Sequence, residues 1–169
     1  MNSAIKHKVV SFVLFNIIWL SAVAGRTDYI WLTMALVLVQ LSYSLWVARV
    51  SLRLILRLLA VGLLLEAIAI SMGIVDFTGG LFPLWLTLLW VGFSSMAPVA
   101  LDWLAKKPPL AALLGAISGP FTYWVGVGIG AGTTDSLPAL VVTYAVVWAL
   151  FMLFFSRAIQ AGPNERLVI

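Results

Sequence analysis

Glu66 is the residue whose chemistry most needs an explanation. It lies within the apolar run 54–75, and a carboxylate in the middle of a bilayer costs about 2.5 kcal/mol or more. The side chain must therefore face other helices, be paired, or be protonated. Two interpretations stay open. Glu66 binds a proton, a cation or a polar headgroup, or it is a neutral acid that is hydrogen-bonded across helices for structure alone.

Other polar side chains lie at a similar depth, and each needs a protein partner in lipid. We expect a deep tryptophan to donate its indole N–H to Glu66 or to a carbonyl that a proline leaves free. If these groups converge, the protein has a polar core that can bind a ligand, and if they pair locally they only join helices. The candidate intramembrane polar site consists of Glu66, Asn16, Tyr123 and Gln40. Further polar groups and deep tryptophans are Ser94, Ser95, Thr122, Thr143, Tyr144, Trp90, Trp124 and Trp148.

The residue inventory excludes several kinds of chemistry. The chain has no cysteine and a single histidine, His7, so thiolate nucleophiles, disulfides and iron–sulfur clusters are ruled out. No nucleophile–base motif is present. We therefore predict no catalytic residues, no metal site and no cofactor. The basic residues border apolar runs, which is typical of membrane anchors and not of nucleic-acid binding.

The composition indicates a membrane protein. Of the 169 residues, 63% are hydrophobic and 9% are charged, whereas soluble domains are about 45–50% apolar and about 25% charged. A spanning helix needs about 20 mostly apolar residues. We predict an all-α, polytopic transmembrane helix bundle that forms one domain over residues 1–169. Its six spans lie at about 9–25, 29–48, 54–75, 82–101, 110–131 and 137–156.

The basic residues predict the orientation. Nine of the ten lysines and arginines, Arg166 among them, fall on the side of the two termini, and only Arg26 falls on the other side. The positive-inside rule then places both termini in the cytoplasm. One alternative is that residues 1–24 form a signal peptide, since Ala22-Val23-Ala24 resembles a cleavage site. Five helices would then remain, with the new N-terminus outside.

Three arginines recur every four residues where the third helix is expected to begin. Arg49, Arg53 and Arg57 would share one helical face, which could hold anionic lipid headgroups at the cytoplasmic surface. The alternative is ordinary positive-inside anchoring.

Small residues predict close helix packing. Gly62, Ala69 and Gly73 share the face of Glu66, and the fifth helix contains the pairs Gly115–Gly119 and Gly126–Gly130. Such faces let helices approach closely, either within one chain or in a homodimer. Two prolines, Pro98 and Pro120, are expected to kink their helices, with a broken helix as the alternative.

Three stretches resemble the membrane family known as domain of unknown function 2878. They are Phe15-Asn16 with Trp19, Pro83-Leu84-Trp85 with Leu89-Trp90, and Gly119-Pro120 with Tyr123 and Gly126. The resemblance covers about residues 8–158 and includes Glu66. It implies a bacterial inner-membrane protein, and the genes reported beside its members, for fatty-acid modification and membrane stress, imply a role connected with lipids.

Three functions follow from these features. The leading one is a non-enzymatic protein that supports membrane-lipid modification or handling, by binding a lipid or by scaffolding a lipid-modifying enzyme. The second is a small proton-coupled transporter or lipid flippase that uses Glu66. The third is an intramembrane enzyme, which a single central carboxylate makes the least favoured.

Overall fold

The computed structural model describes residues 3–161, so Arg166 lies outside the described residues. Within that range six long helices form one bundle, and the all-α prediction is confirmed. They are α1 (Ser3–Gly25), α2 (Ile30–Ser42), α3 (Leu52–Ser71), α4 (Leu84–Ala100), α5 (Pro108–Gly128) and α6 (Leu137–Gln160). A π-helical turn, Tyr43–Val47, extends α2, and a 3₁₀ turn, Asp102–Leu104, follows α4. Two short strands, β1 (Asp76–Phe77) and β2 (Gly132–Thr133), pair antiparallel.

Five of these helices are long and apolar enough to cross a membrane, as a multi-pass membrane protein requires. The exception is α4, which has 17 residues and is therefore about 25 Å long, against a hydrocarbon core of about 30 Å. It is shorter than the predicted span because Pro83, in extended conformation, precedes its first turn. Most of its residues are buried, so α4 is the central helix of the bundle.

One end of the bundle brings together the start of α1 with the ends of α2, α4 and α6. Lys8 Nζ lies 2.5 Å from Asp102 Oδ1, and His7 Nδ1 lies 2.7 Å from the hydroxyl of Tyr43. From α6, Ser156 donates to the carbonyl of Ala105 at 2.7 Å. We name this the basic end, because it holds Lys6, Lys8, Arg49, Lys106, Lys107 and Arg157.

The opposite end is closed by the β1–β2 pair, and we name it the hairpin end. There Thr78 Oγ1 donates to the carbonyl of Gly130 at 3.0 Å, and Trp85 Nε1 donates to the carbonyl of Thr78 at 2.9 Å. α4 starts at the hairpin end and finishes at the basic end, and the other five helices also run between these two ends. That the basic end faces the cytoplasm stays a prediction.

Two helices end earlier than predicted, and glycines explain both differences. The third predicted span continued to residue 75, but α3 ends at Ser71 because Gly73 adopts a left-handed φ of +68°. Gly130 has a φ of +81° and lies beyond the end of α5 in the same way. Gly73 and Gly130 therefore form turns, and the prediction that they belong to helix-packing faces is wrong. Glu66 consequently lies five residues before the end of α3, in the half of the helix that leads to the hairpin end.

The prediction for the three arginines also needs correction. Arg49 lies in the link between α2 and α3 with a left-handed φ of +57°, and α3 begins only at Leu52. Arg53 and Arg57 lie on the exposed face of α3, one turn apart. The three side chains therefore do not form one helical stripe, although all three are exposed.

The remaining small residues pack helices together within the chain. A Cβ at Gly119 would lie 2.2 Å from the ring of Trp148, and one at Gly115 would lie 2.6 Å from the backbone oxygen of Trp148, so α5 meets α6 directly at these glycines. The sequence left open whether these faces join helices of one chain or of a homodimer. One molecule already uses them, and the dimer itself stays a prediction. Both α4 and α5 continue through their internal prolines, Pro98 and Pro120, so neither helix is broken.

The first helix is packed into the bundle against α2 and α4. Ile18 and Ala22 are fully buried in these contacts. Cleavage after residue 24 would remove this packing, and that alternative stays a prediction.

Candidate functional site

The carboxyl group of Glu66 is fully buried and accepts hydrogen bonds from three other helices. From α4, Trp90 Nε1 donates to Oε2 at 3.1 Å. From α5, the hydroxyl of Tyr123 donates to the same oxygen. From α6, the hydroxyl of Tyr144 donates to Oε1 at 2.9 Å. Glu66 therefore joins α3 to α4, α5 and α6 at one point.

Stacked aromatic rings hold these donors in place. The rings of Tyr123 and Tyr144 stack with centroids 3.5 Å apart and planes 18° apart, so both hydroxyls approach the same carboxyl group. The ring of Trp90 stacks on that of Trp148 at 5.3 Å. On its other side lies Gly62, one helical turn before Glu66, where a Cβ would come within 2.4 Å of the indole. Only glycine leaves room for Trp90 to reach Glu66.

All three donors to Glu66 are uncharged. An indole N–H can only donate, whereas a phenol hydroxyl can donate or accept, and a carboxylate only accepts. Trp90 is thus the one partner that cannot reverse its hydrogen bond. Within residues 3–161 no three His, Cys, Asp or Glu side chains lie together, so Glu66 does not belong to a cluster of such metal ligands. The arrangement is a carboxyl group held by aromatic donors, suited to hydrogen bonding and to proton exchange.

The structure brings one of the predicted companions to Glu66 and places two elsewhere. Tyr123 contacts Glu66 directly. Asn16 is exposed on α1, and its amide donates to the carbonyl of Phe12 at 2.8 Å, one turn earlier in the same helix. Gln40 is fully buried, but it donates to Ser11 Oγ at 2.8 Å in a different part of the bundle.

Gln40 belongs to a second polar cluster, which joins α1, α2 and α4. Its amide also donates to Ser44 Oγ at 3.1 Å, and that hydroxyl donates to the carbonyl of Ser95 at 2.8 Å. The bonds from Gln40 to Ser11 and from Ser44 to Ser95 link neighbouring helices, so the cluster accounts for Gln40 as a packing residue.

Two members of the Glu66 cluster, Trp90 and Tyr144, were absent from the candidate site drawn from sequence. The expectation that a deep tryptophan donates to Glu66 is nevertheless confirmed at Trp90. A signal for Tyr144 exists in α6, because Tyr144 and Trp148 are four residues apart and share one helical face. That face points inward, since Tyr144 is fully buried and Trp148 stacks on Trp90. The sequence could identify the pair as a face but not its direction.

A groove of about 620 Å³ lies beside this cluster, between α1 and α5 and above α4. Its opening is bordered by residues that are exposed in the middle of their helices, including Phe12 of α1 and Phe121 of α5. Its base is formed by buried side chains of α4, among them Trp90, Phe93 and Met96. The ring of Tyr123 lines the groove while its hydroxyl bonds Glu66, so Tyr123 connects the two.

The three predicted headgroup contacts are remote from this groove. Arg49, Arg53 and Arg57 belong to the loop before α3 and to its first half, and none of them lines the groove. Contact between these arginines and lipid headgroups stays a prediction.

Comparisons with known proteins add the family. No curated protein and no solved structure matches the chain. A family model described as "Protein of unknown function (DUF2878)" matches residues 8–154, which covers the Glu66 cluster and the groove. The chain therefore belongs to the DUF2878 family, as its sequence resemblance predicted.

Proposed function

We propose that this protein handles membrane lipids by holding an acyl chain in the groove between α1 and α5. The observation that carries the proposal is the position of the groove, which opens between helix faces that display exposed apolar side chains at mid-helix. In a membrane these faces meet the lipid tails, so the natural occupant of the groove is a tail. Its volume of about 620 Å³ lies in the range of about 300–1,000 Å³ that ligand pockets occupy.

The polar groups of the groove also favour a hydrocarbon occupant. Asn16 bonds its own helix at Phe12. Ser118 donates to the carbonyl of Leu114, and Thr122 donates to that of Gly119, each at 2.7 Å. Side chains that are satisfied by their own helix offer little to a polar ligand. The groove therefore suits a chain that needs no hydrogen bonds.

The length of the groove fits a lipid tail as well. The lining residues of α4 run from Trp85 to Met96, which corresponds to about 17 Å along the helix axis. One leaflet of the hydrocarbon core is about 15 Å deep, so the groove is long enough to hold one acyl chain through the depth of a leaflet.

Tryptophan quenching in detergent tests the proposal. Trp90 and Trp148 line the groove, so phospholipid with mid-chain bromines should quench the fluorescence of the protein saturably. Gly126 also lines the groove, and a Cβ there meets only ordinary contacts, with Val23 at 3.6 Å and Ala131 at 3.8 Å. Gly126→Leu should therefore fold, fill part of the groove and remove the saturable quenching.

Gly128→Leu is the matched control. Gly128 lies on the same helix, does not line the groove, and has open space where a Cβ would be. It should keep the wild-type quenching curve. Equal quenching curves for Gly126→Leu and Gly128→Leu would show that the acyl chain does not bind in the groove.

In the cell, the same proposal means that this protein supports a separate lipid-modifying enzyme and has no catalytic activity of its own. A groove that holds a tail would present a lipid to such an enzyme in the bacterial inner membrane. Mass spectrometry of lipids from a deletion strain tests this role. An unchanged lipid profile under membrane stress would remove the link to lipid modification while leaving the quenching experiment intact.

A second candidate is proton-coupled transport of a lipid, with Glu66 as the proton site. The observation that favours it is the link through Tyr123, whose ring lines the groove and whose hydroxyl bonds Glu66. In vesicles containing fluorescent phospholipid, Glu66→Gln should then abolish movement between leaflets while the protein remains folded. A wild-type rate in that variant would exclude the proton role.

A further inference from the structure

Arg26 lies beside the hairpin end of the groove, close in sequence to the lining residue Val23. It follows the last residue of α1, and its Nη1 donates to the carbonyl of Ile129, just beyond the end of α5, at 3.0 Å. Since α1 and α5 form the two sides of the groove, this bond links them at one end.

The residues around this bond belong to the groove itself. Val23 precedes Arg26 by three residues, and Ala131 follows Ile129 by two, and both line the groove. The guanidinium lies 3.6 Å from the position of a Cβ at Gly130. A lipid whose tail fills the groove would therefore place its headgroup within reach of Arg26.

The charge of Arg26 stands out at this end. Among the residues that the structure describes, it is the sole lysine or arginine of the hairpin end, where Asp28, Asp76 and Asp135 also lie. None of these three carboxylates forms an ion pair with it. A guanidinium carries five N–H donors, and the bond to Ile129 uses one. Donors thus remain for an anion.

The backbone at Arg26 is also unusual. Its φ of +48° lies in the left-handed region, which residues other than glycine rarely adopt. Gly25, directly before it, would suit that conformation better. Arg49 adopts the same left-handed conformation at the basic end, so the assignment rests on the position of Arg26 beside the groove and not on its backbone.

We infer that Arg26 binds the phosphate of a phospholipid whose acyl chain lies in the groove. The inference rests on the proposed function and adds the headgroup chemistry and the direction of the lipid. The planar guanidinium matches a phosphate oxygen pair bidentately. The phosphate lies at the hairpin end, opposite the three arginines that the sequence suggested. The simpler role, capping the carbonyl of Ile129, uses the same bond but gives no preference for phosphate.

Two lipids with the same brominated chains separate the headgroup from the tail. Phosphatidic acid carries the phosphate and diacylglycerol does not, and both are titrated in neutral detergent by tryptophan quenching. Wild-type protein should bind phosphatidic acid about tenfold more tightly, the ratio that one charge-assisted hydrogen bond gives. Arg26→Gln should bring the ratio of the two affinities close to one.

Arg49→Gln is the matched control, because Arg49 is also an arginine with a left-handed backbone between two helices, but it lies at the basic end. It should keep the wild-type ratio. An unchanged ratio in Arg26→Gln, or its loss in Arg49→Gln, would overturn the assignment. Inorganic phosphate should compete weakly; full competition at millimolar concentration would overturn the lipid as the source of the phosphate.

A second substitution covers the case in which Arg26→Gln does not fold. Arg26→Lys keeps the charge but loses the planar fork, so the ratio should fall at least about threefold, since a point charge replaces a bidentate contact. An unchanged ratio would overturn the bidentate phosphate contact. Failure of the proposed function looks different, because Gly126→Leu would then leave diacylglycerol binding intact whatever Arg26 does.

Discussion

Replacing Glu66 with leucine should destabilise the bundle far more than replacing it with glutamine. Leucine leaves the indole of Trp90 and the hydroxyls of Tyr123 and Tyr144 without an acceptor. Hydrogen bonds between membrane helices average about 0.6 kcal/mol, so three lost bonds set a lower limit of about 2 kcal/mol. Donors buried without a partner cost about 1–3 kcal/mol each in soluble proteins, so the loss of unfolding free energy should exceed this lower limit.

Glutamine keeps most of this network. Its amide oxygen can accept from Trp90 and Tyr123, and its NH₂ can donate to Tyr144, since a phenol oxygen also accepts. One bond reverses and none is lost, so we expect a loss below about 1 kcal/mol. Equilibrium unfolding in mixed micelles, followed by circular dichroism, measures both variants.

The control for added leucine is Ala67→Leu, at the neighbouring exposed position on α3. It should change the free energy of unfolding by less than about 0.5 kcal/mol. If Glu66→Leu were as stable as Glu66→Gln, the three donors would contribute nothing, and the assignment of Glu66 as the junction of four helices would be refuted.

Two further predictions concern packing and orientation. Gly119→Leu should cost at least about 2 kcal/mol in unfolding free energy, because its side chain would overlap the ring of Trp148. Gly128→Leu adds a side chain in open space and should be nearly neutral. Equal losses in the two variants would contradict the α5–α6 contact. The chain has no cysteine, so Lys107→Cys and Thr133→Cys each provide a single thiol. An impermeant maleimide added outside intact cells should label Thr133→Cys alone, and labelling of Lys107→Cys instead would reverse the predicted orientation.

The sequence predicted the number of helices because lipid imposes a strong rule on length and charge. Apolar runs of about 20 residues flanked by charges have few alternatives to a helix. The inward direction of Glu66 followed from the same rule, because a carboxyl group facing lipid is too costly. These features depend on the solvent and not on details of packing.

Which other residues meet Glu66 could not be predicted in the same way. Helices in lipid are apolar on every side, so hydrophobic periodicity does not separate inner from outer faces. Tyr144 and Trp124 both look like deep aromatic residues in the sequence, yet Tyr144 is fully buried and Trp124 is exposed. Asn16 and Gln40 show a second difficulty, because one is satisfied within its own helix and the other by a separate cluster.

The position of Glu66 connects the stability of the bundle with the shape of the groove. α5 packs chiefly against α6, and the bond from Tyr123 to Glu66 also joins it to α3. Since α5 is one side of the groove, losing that bond should loosen the groove as well as the fold. A lipid-holding protein should therefore lose tail binding in Glu66→Leu and keep it in Glu66→Gln. A proton-coupled transporter should also keep tail binding in Glu66→Gln, but this variant should lose the movement of lipid between leaflets. The glutamine variant, which preserves the hydrogen bonds and removes the titratable proton, is thus the substitution that separates the two functions.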